Sequence, residues 1–187
     1  RQLCLQPRLV YDNIDQPSSK LKACMELIKT MQENKQKVLL FSSFTSALDL
    51  IAEECQKAGI TYYMLTGSTN KEERRELVSR FQKDDTTLFL ISLKAGGTGL
   101  NLTSAENVIH YDPWWNVSAQ NQATDRAYRI GQKSNVQVFN LVMKDSVEEK
   151  IIEMQKRKKE LADMFVENNS GGLSQMSKED ILSLFTM

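Results

Sequence analysis

Five short apolar runs constrain what this chain can fold into: Lys37–Phe41 (KVLLF), Tyr62–Leu65 (YYML), Thr87–Ile91 (TLFLI), Asn107–Tyr111 (NVIHY) and Val136–Val142 (VQVFNLV). They are too short for helices, and the most apolar of them have the form of strands covered on both faces. Between them the period changes. Leu21, Cys24, Ile28 and Met31 recur at helical spacing after Ser19, and Leu48, Ile51 and Cys55 do so between Thr45, a candidate cap, and Gly59, a candidate stop. Asn70 with Glu73 has the form of a capping box opening a helix through Phe81. Strands alternating with helices predict an α/β domain, an open parallel sheet of about five to six strands with right-handed crossovers and helices on both faces.

The 187 residues, 41% of them hydrophobic, suffice for one core. Residues 1–17, containing Pro7 and Pro17, read as an irregular lead-in, and 18–145 as the α/β domain. Residues 146–167 read as one long helix with Val147, Ile151, Met154, Leu161 and Phe165 apolar, and its Lys156–Lys159 run as a solvated basic face rather than a dedicated DNA patch. Residues 168–187 read as a Gly-Gly linker and a short amphipathic helix capped by Ser177.

Several function classes are disfavoured. Twenty-four basic and 24 acidic residues cancel. That balance argues against a strongly basic nucleic-acid module, but leaves room for backbone contacts by hydroxyls, amides and a few lysines. Cys4, Cys24 and Cys55 are widely spaced, with no C-x-x-C pair, and support neither a disulfide frame nor a zinc site; no metal-ligating residues are assigned. The lone His110 ends an apolar run and reads as packed or hydrogen-bonded rather than catalytic. The pairs Glu53-Glu54, Glu72-Glu73 and Glu148-Glu149 fall on helical patterns and read as solvated faces. With no long apolar stretch and no cleavable leader in view, the chain reads as soluble and intracellular, without a membrane partner.

The chemistry concentrates after the strands. SSFT, TGST, SLKAGGTG and DPWWN each follow a predicted strand, and in an open parallel sheet such loops gather at the C-terminal edge, where these folds bind ligands. Read as one helix, Gln120–Gln132 puts Gln122, Arg126 and Arg129 on one face, beside a small-residue stripe of Ala119, Ala123, Ala127 and Ile130. Two guanidiniums projecting together suit a polyphosphate, whose charge is spread over several oxygens. The plainer alternative is a surface arginine pair, with Asp125 and Arg129 as an ordinary helical ion pair. Gly96, Gly97 and Gly99 are either a simple turn or a place where backbone amides approach phosphate, with Thr98 adding a hydroxyl. Of the adjacent Trp114 and Trp115, one ring is expected to pack and one to face outward.

In their order and spacing, VLLFSSFT, LTGST, SLKAGGTGLNLTSA, YDPWWN and QATDRAYRIGQ resemble the motifs of the second lobe of Swi/Snf-type helicase-like ATPases, over nearly the whole chain. The short tail resembles bacterial members more than eukaryotic remodellers. The resemblance implies a RecA-like C-terminal lobe of an ATP-dependent translocase on double-stranded DNA. Its cofactors would be ATP and Mg²⁺, held mainly by an N-terminal lobe that carries the phosphate loop and acidic box, neither of which occurs here. It implies catalytic roles for Arg126, Arg129 and Gln122, nucleotide contacts for Gly97, Gly99 and Asn101, and DNA contacts among Ser42, Ser43, Thr45, Thr66, Gly67, Ser68, Lys94, Gly96, Trp114 and Trp115. The 146–167 helix would brace the two lobes, and RNA polymerase or nucleosomes would be candidate partners. The compartment would be the cytoplasm in a bacterium and the nucleus in a eukaryote.

The sequence departs from the family pattern at Val117, where most members have Pro, at Tyr128, where they have His, and at Asn101, where related helicases often carry an acidic residue. Two other readings stand beside this one: a lobe of an RNA helicase, which WWN and RIGQ argue against, and a stand-alone nucleotide-binding or protein-docking module.

Overall fold

The computed structural model describes residues 1–10, 16–96, 100–127 and 135–168. The strands are β1 (Val38–Ser42), β2 (Tyr62–Leu65), β3 (Leu88–Ser92), β4 (Asn107–His110) and β5 (Gln137–Asn140). They form one sheet in the order β2-β3-β1-β4-β5, with every pairing parallel. The helices are α1 (Gln2–Leu5), α2 (Ser19–Glu33), α3 (Thr45–Lys57), α4 (Lys71–Lys83), α5 (Leu93–Gly96), α6 (Val117–Thr124) and α7 (Val147–Asn168). This is a RecA-like α/β architecture with helices on both faces.

Pleating divides the core in two. Val38 and Leu40 of β1 point with Leu88, Leu90 and Ile109 toward α2 and α3, while Leu39 and Phe41 point with Phe89, Ile91 and Val108 toward α4, α5 and α6. The three central strands are buried along their length, which is why their residues read as uninterrupted apolar runs. The edge strand β5 differs. Only four residues of VQVFNLV pair, and Val138 is 44% exposed.

Local signals set most boundaries. Ser18 accepts a hydrogen bond from Leu21 N and starts α2, and Asn70 accepts one from Glu73 N at 2.9 Å and starts α4. Gly59, at φ +68, ends α3 with the bonds Ile60 N to Cys55 O and Gly59 N to Gln56 O, a Schellman turn that favours glycine.

Four expectations are corrected. Thr45 is not the cap of α3: Phe44 occupies that position, and the hydroxyl accepting a local amide is Ser42 Oγ, from Phe44 N at 3.1 Å. The lead-in is not wholly irregular, because α1 and a 3₁₀ turn at Pro7–Leu9 order it and Leu5 is fully buried. Glu148 is not solvated; its carboxylate lies 2.5 Å from Lys20 Nζ with both side chains almost entirely buried. The arginine segment is not one continuous helix, since α6 ends at Thr124 and Asp125–Ala127 form a turn.

The long C-terminal helix is present, but its apolar stripe is only partly covered. Ile151 is buried, whereas Val147 and Met154 are exposed. The Gly-Gly linker and the Ser177 cap lie outside the described residues.

Candidate nucleotide and nucleic-acid site

All five strands run the same way, so the segments that follow them leave from one edge. At that edge Ser42 is opposite Ser92, and Phe41 is opposite both Ile91 and His110. Asp112 ties the rim together. Its Oδ1 accepts from Ser42 Oγ at 2.7 Å and Ser43 N at 3.0 Å, while Oδ2 accepts from Ser43 Oγ and from Arg1 Nη2, the latter at 3.1 Å. Arg1 also donates to Pro113 O at 2.7 Å, and its guanidinium lies over the Phe44 and Trp114 rings at 5.2 and 5.3 Å. A 5% exposed carboxylate is thus matched by donors on every side, as a buried charge must be. The hydroxyls of Ser42 and Ser43 are both committed to it, and Ser42 is buried. Thr45, at the first turn of α3, is exposed.

Asp112 lies within YDPWWN, where the motif alone assigns it no role. Its signal was an Asp directly after a buried strand and before Pro113.

The loop after β2 is a compact hydroxyl turn. Thr66 N donates to Thr69 Oγ1 at 3.1 Å, the hydroxyls of Thr66 and Ser68 are 2.8 Å apart, and Gly67 and Ser68 face solvent. After β3, Lys94 is exposed on α5, and Arg74 of α4 donates to Ala95 O at 3.2 Å. Gly96 faces inward. A Cβ there would meet Phe41 Cε1 at 2.9 Å, so in this fold the glycine answers a packing demand. Gly97 and Gly99 lie outside the described residues.

The tryptophans divide as their sequence position implies. Trp114 is half-buried against the second core cluster, and Trp115 is 51% exposed with its ring centroid 5.9 Å from that of Trp114. A glutamine network fixes this loop. Gln120 Oε1 accepts from Trp114 N at 3.3 Å, Gln120 Nε2 donates to Asn140 Oδ1 at 2.9 Å, and Gln155 of α7 donates to Trp114 O. Asn116 caps α6 through Ala119 N at 3.3 Å.

Arg126 follows α6 in the turn and is 5% exposed. Its Nε donates to Gln122 O at 3.0 Å, and its own carbonyl accepts from Leu102 N at 3.0 Å. The second bond places the arginine turn beside Asn101, whose side chain is exposed and whose carbonyl accepts from Gln82 Nε2 at 2.7 Å. Gln122 is exposed, Ala123 and Ala127 are buried as the small-residue stripe requires, and Arg129 lies outside the described residues. His110, also buried, stacks on Phe41 and shares a 2.9 Å hydrogen bond with Thr124 Oγ1; burial pushes its pKa down to about 4, so it is a neutral packing residue.

Residues 19–131 match the helicase conserved C-terminal domain family. Similar proteins include an uncharacterized ATP-dependent helicase of Mycoplasma pneumoniae, 37% identical over 99% of this chain and 18% of its own length. A putative ATP-dependent helicase/translocase, YwqA of Bacillus subtilis, is 39% identical over 91% of this chain and 18% of its length. The ISWI chromatin-remodeling complex ATPase ISW1 of Saccharomyces cerevisiae is 38% identical over 94% of this chain and 16% of its length. The chain therefore spans less than a fifth of these relatives. The crystal structure of the C-terminal part of the Fun30 ATPase domain aligns with TM-score 0.71 and 40% identity, covering 73% of this chain and 45% of that one.

Proposed function

Because the chain belongs to the helicase conserved C-terminal domain family, among Swi/Snf-type ATP-dependent helicases, we propose that it is the second motor lobe of an ATP-dependent translocase on double-stranded DNA. In this reading Arg126 and Arg129 stabilise charge on the transferring phosphoryl group, Gln122 assists, and Gly97, Gly99 and Asn101 line the nucleotide. The rim loops grip one DNA strand. The observation that carries the reading is the common edge: the segments bearing SSFT, TGST, SLKAG and DPWWN leave a single end of an all-parallel sheet. Parallel topology brings every post-strand segment to this end; what supports the reading is that the polar, Gly-bearing and aromatic residues lie in those segments, where open α/β sheets bind ligands.

The residues fit ATP in part. Among the described residues no group of three His, Cys, Asp or Glu could hold a metal, and the sequence has neither a phosphate loop nor an acidic box, so Mg²⁺ and most phosphate contacts would belong to another lobe. What this chain offers is cationic. The bond from Leu102 N to Arg126 O keeps Asn101 next to the arginine turn, which supports nucleotide and arginine roles for neighbouring segments. ATP supplies the phosphoryl group; this chain's part is to present fixed positive charge, grip DNA and move with the cycle.

The turn Thr66–Ser68, with Gly67 and Ser68 exposed, and the exposed Thr45, Lys94 and Trp115 would face DNA. Ser42 and Ser43 would act chiefly by shaping their loop through Asp112. The helix α7 would brace the lobes, and the choice of cargo would lie elsewhere in the whole protein.

The experiment is Arg129→Ala in the two-lobed protein. Arginine fingers are worth roughly 10³-fold or more in turnover, so DNA-stimulated hydrolysis should nearly vanish with the fold intact. Turnover close to that of the parent would remove the assignment. Comparing stimulation by duplex DNA and by RNA separates this reading from an RNA helicase lobe, and the isolated chain should hydrolyse no ATP.

A further inference from the structure

Trp115 lies on the wall of an open groove of about 630 Å³ between the first turn of α6 and the middle of α7. Asn116, Ser118 and Asn121 line one side, and Lys158 and Lys159 the other. Among the described residues no carboxylate lines it. Both lysines are exposed, neither makes an ion pair among the described residues, and Lys158 Nζ lies 5.4 Å from the Trp115 ring centroid.

The walls are held rather than loose. Gln155 donates to Trp114 O, and Lys158 and Lys159 follow it at spacings of three and four, so the face of α7 that touches the tryptophan loop also presents the lysines. Ile151, buried one turn earlier, and Glu148, paired with Lys20, fix the start of the same helix.

We propose that this groove is a sugar–phosphate binding site that extends the DNA track from the rim onto α7, with Lys158 and Lys159 each taking a phosphate and the Trp115 ring packing against the strand between them. The inference rests on the duplex-DNA reading above and adds a contact element to it. Its chemistry is mixed: two ammonium groups, the Asn121 amide and the Ser118 hydroxyl stand beside the apolar surface of Trp115 and Val117, which together match phosphate oxygens flanking an apolar sugar or base. An acidic protein segment would satisfy some of the same donors. Continuity with the rim favours DNA, because Trp115 belongs to the loop that leaves β4 at the strands' C-terminal edge.

The test uses the two-lobed protein and duplex DNA, with Lys158→Gln/Lys159→Gln against the parent. Each lost phosphate contact lowers the slope of log affinity against log salt by about 0.9. The double variant should therefore lose about 1.8 from the slope. Extrapolated from 1 M salt, where the two proteins should agree, that is about 60-fold in affinity at 0.1 M.

Lys22→Gln/Lys29→Gln, on exposed positions of α2 that do not line the groove, removes the same charge and should leave the slope in place. Equal slope loss in both double variants would overturn the site, as a general charge effect. An unchanged slope in Lys158→Gln/Lys159→Gln, with the parent still binding duplex DNA, would overturn it while sparing the motor reading. If the unchanged slope is accompanied by lost binding of a poly-glutamate peptide, the groove belongs to an acidic protein segment instead. A parent that does not bind duplex DNA would overturn both readings.

Discussion

Removing the Glu148 carboxylate tests whether α7 is locked to the lobe by a buried ion pair. Lys20 Nζ and Glu148 Oε2 are 2.5 Å apart, with side chains 2% and 1% exposed, and the same Oε2 accepts from Met143 N at 2.8 Å. At an effective dielectric of about 20 the attraction is roughly 7 kcal/mol, which the desolvation of two ions, several kcal/mol each, largely cancels. The intact pair is therefore close to neutral for stability, and the broken pair is not. Glu148→Ala leaves an ammonium group near the Tyr111 ring, 5.5 Å from Nζ, with no other ion-pair partner among the described residues, and it strips Met143 N of its acceptor. The expected loss is about 3–5 kcal/mol. With a urea m-value of about 2 kcal/mol per molar, the midpoint of unfolding should fall by roughly 1.5–2.5 M. Lys20→Met/Glu148→Leu, which removes both charges and fills the space, should recover most of that loss. A midpoint shift below about 0.5 M for Glu148→Ala, or a double variant as unstable as the single, would refute the reasoning.

His110 and Gly96 give two further predictions. The His110 pKa is pushed down from 6.5 to about 4 by burial, so the unfolded chain takes up a proton that the folded one refuses. Its contribution is present above pH 6.5 and is lost as pH falls toward 4, up to roughly 3 kcal/mol at 1.36 kcal/mol per unit. Urea melts from pH 7 to pH 5 should show a steeper decline for the parent than for His110→Gln, and parallel curves would exclude the mechanism. At Gly96 an added methyl would sit 2.9 Å from Phe41 Cε1 and 3.5 Å from Ile91 Cγ2, and the Phe41 ring is held by stacking on His110. Gly96→Ala should cost about 1–3 kcal/mol, read as a Tm several degrees lower, and Phe41→Leu in the same chain should recover part of it; an unchanged Tm would mean that the ring yields.

The sheet was legible because its central strands are covered on both faces, so burial is written as consecutive apolar residues in LLF, LFLI and NVI. Capping was legible where the acceptor is three residues away, as at Asn70, and misjudged where a tertiary contact shares it. Ser42 Oγ serves both Phe44 N, two residues on, and Asp112, 70 residues away, and displaces Thr45 from the expected role. Glu148 fails for the same reason on a larger scale. Its partner Lys20 is 128 residues distant, and a helical period cannot say that a glutamate will meet a lysine across the fold. The alanine spacing of the arginine segment predicts one helix, and Ala123 and Ala127 are buried. The stripe survives the end of α6 because the turn at Asp125–Ala127 still faces the core, so periodicity alone did not register the boundary.

The loop carrying the tryptophans is fastened at two points, one inside the motif and one through residues outside it. Asp112 binds one end to the β1 loop, and Gln120 and Gln155 bind the other through the backbone of Trp114. Burying a large apolar side chain is worth about 1.5–3 kcal/mol, and a slack loop next to the groove of α6 and α7 could gain it by folding the second indole inward. Instead Trp115 stays 51% exposed beside a lysine while its neighbour packs. Exposure maintained against that gradient by a braced backbone is a property of the architecture, and it holds the ring in a fixed position. The same bracing links the loop to α7, because the Gln155 amide of that helix donates to Trp114 O while Gln120 and Asp112 hold the loop independently.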